Sequence, residues 1–136
     1  MQVFPMIGKK KAPRSTILIT VLFSGVLGQT TAASVANEEI GYLLGHLERS
    51  RCVVYRNGRW YNASEARAHL EKKYRDILDR GLVTTTEDFI NRAATVSSMS
   101  GKPYQVKCDA REQISSAEWL TTELQQLRKA PVATEP

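Results

Sequence analysis

Cysteine is scarce in this chain, two residues in 136, at Cys52 and Cys108. Histidine is equally scarce, at His46 and His69. Metal sites need clustered ligands and redox pairs take C-x-x-C spacing. Neither pattern occurs, so no metal and no cofactor is expected. G-x-S-x-G and G-x-x-x-x-G-K-[ST] are also missing, which removes the nucleophile elbow and the phosphate loop that those motifs encode. Acidic residues are missing from the first 37 positions, and charge of either sign is missing from "STILITVLFSGVLG" (15–28). There are no internal repeats and no internal linker.

The two charge gaps give the N-terminus its meaning. Lys9, Lys10, Lys11 and Arg14 precede the apolar run, and small residues follow it in "QTTAASVANEE". Basic, apolar, small-residue exit is the order of a secretory signal peptide. We expect a signal peptide over 1–36, cleaved after Ala33 or after Ala36. The rival is an uncleaved anchor, but the apolar run falls short of the ~20 residues that span a bilayer. The whole chain carries +5, yet after residue 36 there are 15 basic and 14 acidic residues. The basic excess therefore belongs mostly to the leader. No basic run after residue 36 exceeds two residues, and a general nucleic-acid or membrane-surface role loses its support. In an oxidising compartment two lone cysteines read most simply as a disulfide. Expected, then, are export, a single domain over 37–130, a flexible tail over 131–136, and a monomer with no membrane contact once the leader is removed.

The rest of the chain reads as alternating elements. "NEEIGYLLGHLERS" (37–50) has a cap at Asn37 and a stripe of Ile40, Leu43, Leu44 and Leu47. "CVVYRNGRWYN" (52–62) is a hairpin around Asn57-Gly58, because a type I′ turn needs positive φ at both central residues. A two-residue turn sets Val54 opposite Tyr61, Tyr55 opposite Trp60 and Arg56 opposite Arg59. "NASEARAHLEKKYRDILDRG" (62–81) opens on a capping box and buries Ala66, Leu70, Tyr74 and Ile77. "TTTEDFINRAATV" (84–96) turns Phe89, Ile90, Ala93 and Val96 inward. "YQVKC" (104–108) is a strand, and "SSAEWLTTELQQLRK" (115–129) is a helix with Leu120, Leu124 and Leu127 inside. The order is α-β-β-α-α-β-α. The expected fold is α+β: a three-stranded antiparallel sheet, made of the hairpin 52–62 and the strand 104–108, packed with about four helices and tied by Cys52–Cys108.

Three groups of residues offer chemistry. The turn "SSMSGKP" carries Ser98, Ser100 and Lys102. As a nucleophile loop it lacks S-x-x-K, because Met99 stands where that motif needs serine. A hydrolase or transferase would have to bring His69 to Ser98 or Ser100 as base. The competing reading is a helix stop, with Gly101 supplying positive φ and Pro103 blocking continuation. A second group is structural: Arg56, His69, Ser98, Ser100 and Tyr104 as a polar network bracing helix, hairpin and loop. A third is the sheet's outer face, where Tyr55 and Trp60 make an aromatic pair beside Gln105 and Lys107. With Arg56, Arg59 and Lys102, these two are the binding candidates. The like-charged Arg56 and Arg59, set opposite each other, call for acids, solvent or an anionic ligand.

The strings "YRNGRWY…EARAHLEKKY", "TTTEDFINRAATVSSMSGKPYQVKC" and "AEWLTTELQQLRK", in that order, resemble the YfeK-like family of small exported bacterial proteins of unknown function. The resemblance covers about residues 38 to 129. It implies a Gram-negative periplasmic setting and supplies no reaction, cofactor or catalytic residue. Its motif words fall on Arg56, Asn57, Gly58, Ala66, His69, Leu70, Ser97, Ser98, Ser100, Gly101, Lys102 and Tyr104. The functional expectation is a non-enzymatic binding domain for a protein or cell-envelope component, with the Ser98/Ser100–His69 enzyme as the alternative.

Overall fold

The computed structural model describes residues 31–131 and Gly8. The basic and apolar segments of the expected signal peptide, Gly8 apart, lie outside the described residues, as do residues 132–136 of the expected tail. Four helices and four strands follow one another: α1 (Ala32–Arg49), β1 (Cys52–Arg56), β2 (Arg59–Tyr61), α2 (Ala63–Asp79), α3 (Thr86–Ala93), β3 (Gln105–Cys108), β4 (Ile114–Ser115) and α4 (Ser116–Lys129). The fold is α+β, with an antiparallel sheet in the order β2-β1-β3-β4.

The hairpin has the register its turn dictates, pairing Val54 with Tyr61, Tyr55 with Trp60 and Arg56 with Arg59. Asn57 and Gly58 sit at φ 51° and 83°, the left-handed values that a type I′ turn requires. β3 pairs with β1 so that Cys52 faces Cys108 and Tyr55 faces Gln105. The two sulfurs are bonded across these neighbouring strands.

The sheet has four strands rather than three. Ile114 and Ser115 pair with Val106 and Gln105. A strand of two residues is too short for alternation to register, and Ser115 is also the cap of α4, accepting the Glu118 amide at 3.2 Å. Helix boundaries differ as well. α1 starts more than a turn before Asn37, because Thr31 caps it by accepting the Ser34 amide. Asn37 instead accepts the Tyr74 hydroxyl from α2. Both cleavage candidates therefore fall inside the first turns of α1. α3 ends at Ala93, so Val96 is not on its stripe; it bridges to Pro103 and is 37% exposed.

The core lies between the sheet's inner face and the helices. Ile40, Leu43 and Leu47 of α1, Leu70 and Ile77 of α2, Phe89 of α3 and Leu120 and Leu124 of α4 are buried with Cys52, Val54 and Val106. Trp119 joins them, which the Leu120–Leu124–Leu127 stripe did not anticipate; Leu127 is only half-buried. Phe89 is fully buried, and the Tyr74 ring meets it edge-on at 5.6 Å. At the far end Arg128 of α4 reaches Glu39 of α1 at 2.8 Å and Glu87 of α3 at 2.6 Å, closing the helical layer.

The Cys52–Cys108 link spans 56 positions. Closing a loop of that length restricts the unfolded chain, so replacing both cysteines by alanine should cost about 4 kcal/mol. Urea unfolding of the double variant against the parent checks this; equal stabilities would mean that the crosslink constrains nothing in the unfolded state.

Candidate functional site

The polar cluster of this protein forms where the hairpin tip, α2 and the turn before β3 meet. Arg56 is the last residue of β1. Continuing the β1–β3 ladder one step beyond Tyr55 and Gln105 sets Arg56 beside Tyr104. α2 presents His69, Lys72, Lys73 and Asp76 from one side, a spacing of three, four and seven that shares a helix face. The serine turn closes the third side.

His69 is the hub. Its Nδ1 lies 2.7 Å and its Nε2 3.0 Å from an Arg56 guanidinium nitrogen, and Nε2 is 3.1 Å from the Tyr104 hydroxyl. Arginine can only donate. A neutral ring accepting from Arg56 at Nδ1 carries its proton on Nε2 and donates it to Tyr104. The environment enforces neutrality: burial first, then the charges of Arg56, Lys73 and Lys72, hold the His69 pKa down to about 4. Lys73 is half-buried beside it, donating to the Val96 carbonyl at 2.9 Å and to the Tyr104 hydroxyl at 3.4 Å. Burial, followed by repulsion from Arg56, lowers the Lys73 pKa from its ordinary value. Burial likewise raises that of Tyr104, which is 2% exposed.

The serine turn is held by its own hydrogen bonds. Ser97 is 3% exposed, and its hydroxyl oxygen accepts from the amides of Met99 and Ser100 at 3.2 and 3.4 Å. The Gly101 amide donates to the Ser97 carbonyl at 2.8 Å, and Gly101 takes φ 65°, which glycine adopts without strain. Ser100 donates to the Asn57 side chain at 2.6 Å, joining the turn to the hairpin tip.

These contacts divide the candidates. Arg56, His69 and Tyr104 come together. Ser98 and Ser100 do not join them through His69, whose ring bonds only Arg56 and Tyr104 among the described residues. The serine inside the cluster is Ser97, while Ser98 and Ser100 are exposed. A base for a serine nucleophile must reach the hydroxyl proton, and here Ser100 spends its proton on Asn57. Lys73 and Lys72 are residues that sequence reasoning passed over; their spacing from His69 on α2 was the available signal. Arg56 and Arg59 resolve their opposition around Tyr61, with guanidinium carbons 4.5 and 5.1 Å from that ring's centre. Lys102 is exposed. On the other side of the hairpin the Tyr55 and Trp60 rings lie 5.2 Å apart, Tyr55 half-buried and Trp60 41% exposed. Neither packs into the core, and neither does Val53.

Residues 34–128 match the DUF5329 family, described as a family of unknown function. The chain belongs to that family. It is also 38% identical, over 72 residues, to the uncharacterized protein YfeK of Salmonella typhimurium strain LT2; the match covers 51% of this chain and 58% of that protein's length. No solved structure matches it. The DUF5329 match takes in the whole polar cluster, from Arg56 to Tyr104. Among its described residues no three of His, Cys, Asp or Glu converge as metal ligands, and no helix is long and apolar enough to cross a membrane.

The depressed His69 pKa has a signed consequence. The unfolded ring titrates near 6.5 and the folded ring near 4. Between those values the unfolded chain binds the proton and the native chain does not, so stability falls as pH drops from about 6.5 to about 4 and levels off below. His69→Gln should flatten the change between pH 7 and 5 in urea-unfolding midpoints, a window above the carboxylate range. His69→Ala should lose about 1–3 kcal/mol at neutral pH, because Arg56 and Tyr104 lose their shared partner.

Proposed function

We propose that this domain is an exported, non-enzymatic binding module, and that the outer face of its sheet is the contact surface for a protein or cell-envelope component. One observation carries the surface: Val53, Tyr55 and Trp60 share the face turned away from the core, and the large indole is 41% exposed. Apolar aromatics held rigid on a sheet are suited to anchoring a partner, because they bury area at low conformational cost. Among the described residues the serine–histidine alternative has no hydrogen bond in its favour.

Export is supported by the N-terminal pattern and is compatible with a disulfide-bonded pair. Of the two cleavage points, the one after Ala33 suits the fold better. Ala36 is 4% exposed and belongs to the core, so cutting after it would remove a packed residue along with the first turns of α1.

Two outcomes are expected. N-terminal sequencing of the protein recovered from a Gram-negative periplasm should begin at Ser34; a start at Asn37, or recovery only from the cytoplasm, goes against this reading. Trp60→Ala should shift the melting temperature by no more than about 3 °C, as an exposed site does, while abolishing the species crosslinked to the parent in intact periplasm. Partner capture that survives the substitution excludes this face.

A further inference from the structure

The polar cluster opens into a cleft of about 190 Å³ lined by Arg56, Lys72, Lys73, Asp76 and Ser98. Three cations thus face one carboxylate. Three arginines elsewhere on the described surface find acids: Arg67 meets Glu48 and Glu71, Arg75 meets Glu71, and Arg128 meets Glu39 and Glu87. Arg56, Lys72 and Lys73 form no ion pair among the described residues.

Two of these three cations are half-buried, and their contacts are with neutral groups. Arg56 meets the His69 ring; Lys73 meets a backbone carbonyl and the Tyr104 hydroxyl. A neutral acceptor satisfies a proton but cancels no charge. Holding two unpaired cations partly out of water, close enough to repel, costs stability. The cost is offset when an anion enters.

The serine turn adds donors at the same place. Of the amides from Ser97 to Lys102, five donate to acceptors within the turn. The Ser98 amide has no acceptor among the described residues, and Ser98 is an exposed residue of the cleft lining. Guanidinium, ammonium, hydroxyl and free amide together are the donor set that oxyanion sites use.

We propose that this cleft binds a phosphoryl group, the dianionic end of a phosphate monoester. Arg56 supplies a fork of N–H donors for two oxygens, Lys73 and Lys72 supply charge, and Ser98 supplies the hydroxyl and amide for the third oxygen. The cationic excess over Asp76 is two, which matches a dianion; a carboxylate would leave one charge uncancelled. At about 190 Å³ the cleft is smaller than a drug-sized ligand pocket and suits a phosphate group or a small ester. Tyr55 and Trp60 point from the opposite face of the hairpin, so this site stands apart from the proposed contact surface.

The test is calorimetric titration of the purified chain at low ionic strength and about pH 7.5, where a phosphate monoester is dianionic. The probes are inorganic phosphate, glycerol 3-phosphate and acetate. Both phosphates should bind saturably, with dissociation constants of about 1 mM or tighter. Lys72→Glu reverses an exposed charge without touching the core, and should weaken both by roughly tenfold or more. Lys73→Met should do the same, with circular dichroism checking its fold. Lys107→Ala, on the outer face, should change neither. Absence of phosphate binding, parental affinity in Lys72→Glu, or acetate binding as tight as phosphate each overturns the proposal. Flotation with phosphatidate-containing vesicles separates the sources: capture that Lys72→Glu abolishes assigns a lipid headgroup, and glycerol 3-phosphate binding without capture assigns a free ester.

Discussion

The pairing of β1 with β3 is the constraint on which everything else in this domain rests. It joins positions 56 residues apart, sets Cys52 against Cys108, and so fixes which side chains of each strand enter the core. A slip of one residue would turn Val54 and Val106 to solvent and carry Tyr55 inside. The same register places Arg56 beside Tyr104. Without it α2 would present His69 and Lys73 to nothing. The disulfide at one end of the ladder and the Ser100–Asn57 hydrogen bond near the other hold the two strands along their length.

Electrostatics at the cluster is unusual in running one way. Burial and neighbouring charge often oppose each other at a titratable group, as they do at Glu39, where Arg128 lowers the pKa and burial raises it. At His69 burial, Arg56, Lys73 and Lys72 all favour the neutral ring. The imidazole thus works as a neutral spacer, accepting from one cation and donating to a phenol that a second cation also contacts. Tyr61 does comparable work on the other side, its ring lying within reach of both Arg56 and Arg59. Aromatic and imidazole rings let three cations share a small volume in which no described carboxylate pairs with them.

Much of the fold was legible because its signals were local. Asn57-Gly58 dictated the hairpin register, Asn62 with Glu65 made the capping box of α2 at 2.9 and 3.1 Å, and the stripe from Ile40 to Leu47 named the buried side of α1. The failures came where a signal was short or its partner was remote. β4 is two residues long and has no period. The start of α1 was displaced because Thr31 sits in a run of small residues that also reads as a processing site. Val96 looked like one more turn of α3, yet the helix stops at Ala93, and Thr95 turns its hydroxyl back to the Ile90 carbonyl. The site was half legible. Arg56, His69 and Tyr104 were named as a network, but the buried Ser97 was left out of it, and Lys72 and Lys73 passed for ordinary surface charges. Distinguishing a solvated lysine from one turned into a cleft requires knowing what faces it.

By itself, then, the sequence determined the four helices and three longer strands, the hairpin register, most of the core and the pairing of its two cysteines, because each follows from propensity, periodicity or elimination among few choices. Tertiary structure decided which charges meet. Arg56, Lys73, Tyr104 and the serine turn lie on four separate stretches of chain, and none carries a mark of the others. Their convergence exists only once β1 and β3 are in register and α2 packs across them, because the energy of a charge depends on distance and burial, and folding sets both.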